Sequence, residues 1–172
     1  MSLVLQISVF LQRIKNDIMS ELERVTSLDS YIRSFSNMRA NHSGKKLLPY
    51  RAIVMLTVAD LICSGLVDTP KIQCDKLFRQ QFALNWEKYS KDTSSFSIPD
   101  VRKQILFMEK EVFWSVSEQE DSIAILDTAL FTYLKKRSSC YLLRKALVNK
   151  YLPLSVNDFH TEYSIVNADI MS

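Results

Sequence analysis

Apolar residues recur at intervals of three and four along the first 25 positions: Val4, Ile7, Leu11, Ile14, Ile18, Leu22 and Val25. That spacing draws one stripe down a helix, close to a heptad seam. The stripe is expected to pack on the chain's own domain, with pairing to a second copy as the alternative. A second helix is predicted from Asp29 as its cap, with Ile32, Phe35 and Met38 on one face. Asn41-His42-Ser43-Gly44 breaks it. The stretch Leu48 to Gly65 opens on Pro49, Tyr50 and Arg51 and runs on as an apolar helix with a glycine stop. Proline suits the start of a helix and glycine its end.

Residues 67–72 form a short turn around Pro70 in this reading. Asp75 is placed to cap the next helix, where Leu77, Phe78, Phe82 and either Leu84 or Asn85 recur helically through Trp86 and Tyr89. A polar loop follows at Ser90–Ser97. The apolar pieces Ile105–Met108 and Val112–Val116, parted by Glu109-Lys110-Glu111, predict a small β-hairpin near 104–116. Asp127 opens a helix with Leu130, Phe131 and Leu134 on one face. Ser138 or Ser139 caps the last helix, which carries Leu142, Leu143, Ala146, Leu147 and Tyr151 before Pro153 stops it. The expected fold is mainly α: an amphipathic helix over 1–28, a compact helical domain over 29–152 and a polar tail over 153–172.

Composition agrees with an ordered helical chain, since 172 residues include only two glycines and four prolines and 47% are hydrophobic. The net charge of +3 is too small to identify a partner. Its distribution says more. No acid lies between Ser30 and Ala59, which hold Arg33, Arg39, Lys45, Lys46 and Arg51. None lies between Thr132 and Asn157, which hold Lys135, Lys136, Arg137, Arg144, Lys145 and Lys150. Segregation of this kind makes a basic face on a nearly neutral protein.

The three cysteines, Cys63, Cys74 and Cys140, are odd in number and show no metal-ligand spacing. They suit a reducing cytoplasm and buried thiols. The start of the chain lacks the basic region and cleavage site of a signal peptide, and no apolar run is long enough to span a membrane. A cytoplasmic protein is the expectation. No nucleophile, metal or Gly-rich phosphate motif is present, so neither catalysis nor a cofactor is expected.

Binding chemistry has more substance. Lys45, Lys46, Tyr50 and Arg51 set cations and one aromatic around the start of the Pro49 helix. Free N–H groups and the helix dipole there favour an anion, and phosphate is the obvious one. Arg102 and Lys103, beside the Pro99 loop, extend the candidate set.

The order of these features resembles a known family. Tyr31-Ile32-Arg33-Ser34-Phe35, Gly44-Lys45-Lys46, Pro49-Tyr50-Arg51-Ala52-Ile53-Val54-Met55-Leu56 and Asp60-Leu61-Ile62 with Gly65 look like the amino-terminal domain of HNH-type, McrA-like restriction endonucleases. Leu77, Phe82, Trp86, Phe96, Met108, Glu111, Phe113 and Trp114 continue the likeness. Asp127, Leu130, Phe131, Leu134, Leu143 and Tyr151-Leu152 resemble the family's closing helices, so that it covers about residues 29–152. The resemblance implies a reader of double-stranded DNA in a bacterial defence system. Some members of the family recognise phosphorothioate DNA, in which sulfur replaces one backbone oxygen. Pro49, Tyr50 and Arg51 stand where the family has Pro-His-Lys.

Two departures stand out. Gln104-Ile105-Leu106-Phe107 replaces a Pro-Phe-aromatic-His segment, and no HNH nuclease half follows. Cleavage by this chain alone is not expected. A separate nuclease subunit, or self-association through residues 4–25, is the partner that this reading anticipates. The alternative is a protein-interaction or dimerisation subunit whose DNA-binding surface has decayed.

Overall fold

The structure, a computed structural model, describes residues 2–38, 41–43, 46–89, 100–117 and 123–152, with backbone alone for 23–25, 41–43 and 46–48. The predicted polar loop and C-terminal tail lie outside these residues. The mainly α expectation holds. Seven helices among the described residues run α1 (Leu3–Val25), α2 (Leu28–Ser36), α3 (Tyr50–Cys63), α4 (Lys76–Tyr89), α5 (Val101–Phe107), α6 (Thr128–Lys135) and α7 (Arg137–Tyr151). Five short strands accompany them: β1 (Asn41–Ser43), β2 (Lys46–Leu48), β3 (Lys71–Gln73), β4 (Trp114–Val116) and β5 (Ile123–Leu126).

Helix α3 is apolar on all sides and therefore belongs in the middle. Its residues from Arg51 to Ala59, with Leu61 and Ile62, are all buried. Helices α4, α5, α6 and α7 pack around it, and α2 closes against α7. The glycine stop works as expected: Gly65 has φ +78°, a backbone angle that a β-carbon disfavours.

Several caps differ in detail from the sequence reading. Ser27, not Asp29, caps α2, its hydroxyl oxygen accepting from the Ser30 amide at 3.2 Å. Asp75 does cap α4, accepting from the Phe78 amide at 2.9 Å. Asp127 precedes α6, but its carboxylate accepts instead from the Tyr31 hydroxyl at 3.0 Å, tying α2 to α6. Carboxylate and burial together hold the Tyr31 phenol well above its ordinary value, burial contributing most. Ser139 falls inside α7, where its hydroxyl donates to the Tyr133 carbonyl at 2.6 Å and fixes the corner between α6 and α7.

The hairpin expected near 104–116 is not there. Residues 101–107 form α5, and Met108–Lys110 continue it as a 3-10 turn. The reason is a good cap and a helical burial period. Asp100 accepts from the Arg102 amide at 3.1 Å, and Gln104, Ile105 and Met108 face inward. Strand β4 pairs instead with β5, which also pairs with β3, giving an antiparallel sheet of order β3-β5-β4. Trp114 lies opposite Leu126 and Ile72 opposite Ala124. The Trp114 indole donates to the Ile105 carbonyl at 3.1 Å, joining the sheet to α5.

The expected packing of the N-terminal helix on its own domain also fails. All described side chains of α1 are exposed. The buried core is built around α3 by α4–α7, with α2 against α7, and no residue of α1 belongs to it.

Candidate nucleic-acid interface

Helix α5 and the start of α3 come together. The Arg51 guanidinium donates to Glu111 at 3.2 Å, so the first turn of α3 is pinned to the turn after α5. Two segments 60 residues apart in sequence are thereby neighbours. Tyr50, half-buried, stacks on Trp86 of α4 with ring centroids 5.3 Å apart, and Trp86 in turn stacks on Phe82. Aromatic stacking of this kind adds to burial and holds the ring in place.

The sequence-predicted residues divide accordingly. Pro49 is buried at the cap position, and its carbonyl accepts from the Ile53 amide at 2.9 Å. Arg51 is turned inward and only 9% exposed. Lys45 lies outside the described residues, and Lys46 is placed by its backbone at the start of β2. Arg102 and Lys103 are exposed on α5. Beside them Leu106 and Phe107, and Val112 beyond, are large apolar side chains open to solvent. Cations and apolar groups thus share one exposed strip, with Gln104 and Ile105 on its buried side.

The second acid-free run has a different fate. Arg144 points inward, while Lys145 and Lys150 line a groove of about 410 Å³ between α2 and α7 with Ile32, Leu142 and Ala146. Lys135 pairs with Asp68 at 2.9 Å on the surface.

Sequence reasoning missed a polar group that joins three helices. Asp60 of α3 accepts from Arg144 at 3.1 Å and from Asn85 at 2.8 Å, with Gln81 at 3.4 Å. Asn85 also donates to Thr57 at 3.2 Å. These residues tie α3, α4 and α7 together in the interior. Burial, the largest single effect, would lower the Arg144 value, but the charge of Asp60 together with Tyr89, Cys140 and Cys63 outweighs it and raises the value. The sequence signal was an acid inside an apolar run and an amide on the apolar face of α4.

Next to this group the Cys140 thiol lies 3.9 Å from the Ala59 carbonyl oxygen and within hydrogen-bonding reach of the half-buried Cys63 sulfur. The hydrogen bond with Cys140, helped by Arg144 and Arg137, pushes the Cys63 thiol down to about 6. The same contact and burial push Cys140 far up. A group shifted down is ionised earlier as pH rises, so alkylation of Cys63 by iodoacetamide should reach half its maximal rate near pH 6, with Cys140 inert. Peptide mapping across pH 5–9 checks this. A Cys63 rate that climbs only above about pH 8, like an ordinary thiol, contradicts it.

Among the described residues no helix is long and apolar enough to cross a membrane. The chain matches no known family model and no curated protein.

Proposed function

We propose that this chain is a DNA-binding module of a restriction-type defence system, resembling the reader domain of HNH-type restriction endonucleases. The observation that carries the reading is the meeting of the α3 start with α5 through Arg51 and Glu111. It joins two segments that the resemblance singles out independently. Lys46, Arg102 and Lys103 contact backbone phosphates in this reading, where cations act by releasing counterions. Arg51 positions the first turn of α3. Tyr50, Leu106 and Phe107 supply apolar surface to sugar, or to sulfur in modified DNA, since sulfur is softer and less well hydrated than oxygen.

Arg102→Ala with Lys103→Ala tests it without touching the core, as both side chains are exposed. Titration of a fluorescent duplex over a salt series should show weaker binding, with the log–log salt slope reduced by about one per contact removed. Unchanged affinity and slope, together with an equal result for Lys46→Ala, would remove this surface from consideration.

A further inference from the structure

Helix α1 spans 23 residues, or about 34 Å at 1.5 Å per residue. Along that length its described side chains are all exposed, and only its C-terminal end approaches α2. Leu3, Val4, Ile7, Phe10, Leu11, Ile14, Ile18 and Leu22 share one side of it and are 39–77% exposed. In proteins most helical stability comes from packing an amphipathic face against another surface.

We propose that this face is covered by a second copy of the chain, paired through α1. Three observations select that occupant. First, Val4, Ile7, Leu11, Ile14 and Ile18 alternate steps of three and four, the spacing with which two helices interlock side chains along a seam. Glu21 then takes the next seam position and Val25 the one after, so the apolar seam is confined to the outer part of the helix. Second, the eight exposed side chains offer on the order of 800 Å² per protomer, the size that a stable interface buries on each partner. Third, the helix is electrically balanced. Arg13, Lys15 and Arg24 are matched by Asp17, Glu21 and Glu23. A helix that lies on an anionic lipid surface carries an excess of lysine and arginine on its polar face, and this one does not.

The proposal is independent of DNA binding, because it concerns the mass of the free protein. The test is sedimentation equilibrium of the full chain from 0.1 to 100 µM, on the order of the affinities such interfaces reach. The expected result is a concentration-dependent rise from 19.9 kDa toward twice that mass. Ile14→Asp places a charge in the seam and should raise the dissociation constant more than ~100-fold. Val9 lies on the opposite side of α1 and is 57% exposed, so Val9→Asp should leave association intact. Both variants are on a helix outside the core, and circular dichroism at the higher concentration checks that each remains folded. A wild-type chain that stays monomeric throughout overturns the proposal, and so does equal weakening by Ile14→Asp and Val9→Asp. Co-sedimentation of the monomer with phosphatidylcholine vesicles would assign the face to lipid instead and also overturn it.

Discussion

Asp60→Ala should destabilise the fold by about 3 kcal/mol, lowering the unfolding midpoint by roughly 6–12 °C. The reason is what the carboxylate leaves behind. Arg144, only 19% exposed, keeps its charge with the Asp60 carboxylate gone, and Asn85 and Gln81 lose the acceptor they share. Breaking a buried pair from one side is costly because the remaining charge is stranded; replacing both sides by apolar groups of similar size is much cheaper. Asp60→Leu with Arg144→Met removes the stranded charge and should recover part of the loss, the part due to Asn85 and Gln81 remaining, so that the two substitutions are non-additive. Urea unfolding of the three variants measures this. A loss under about 1 kcal/mol for Asp60→Ala, within the range of an exposed pair, would show that solvent reaches the group freely.

The second large effect falls on the Arg51–Glu111 bond. Arg51→Ala should cost about 2–3 kcal/mol, since it breaks from one side an ion pair whose two side chains are only 11% and 10% exposed. Loss of DNA affinity in that variant would not by itself identify a phosphate contact, because the first turn of α3 and the turn after α5 would come apart together. The double variant Arg51→Met with Glu111→Gln separates the two roles. It should fold with most of the stability restored and retain duplex binding, as expected of a positioning residue that faces inward. Full stability with binding abolished would instead mean that the guanidinium itself reaches the DNA.

The helices were legible wherever an apolar face repeats with helical period, as in α2, α4, α6 and α7, and the all-apolar α3 was framed by Pro49 and Gly65. What sequence could not show was long-range. Ile105-Leu106-Phe107-Met108 looks like a strand because all four are apolar, but only Ile105 and Met108 are buried, and Leu106 and Phe107 face solvent. Asp100 after Pro99 was the overlooked helix signal. Strand β3 read as a turn because its partner, β5, lies about fifty residues on, and three-residue strands carry little periodicity of their own. The candidate site was legible in its residue types and not in their roles. Arg51 and Arg144 counted toward basic runs, yet each is neutralised by an acid from a distant element. The amphipathic pattern of α1 was plain, whereas the exposure of its described side chains could only be seen in the structure.

The central claim is that this domain reads DNA, and one binding experiment bears on it most directly. Two duplexes of identical sequence, one with a single backbone phosphorothioate, are titrated with the full chain from about 50 to 200 mM salt, the range over which phosphate contacts are strongly screened. The account predicts binding to both at low salt with a steep negative salt dependence, and tighter binding to the sulfur duplex if the exposed apolar residues of α5 take part. No binding to either duplex at the lowest salt would contradict it.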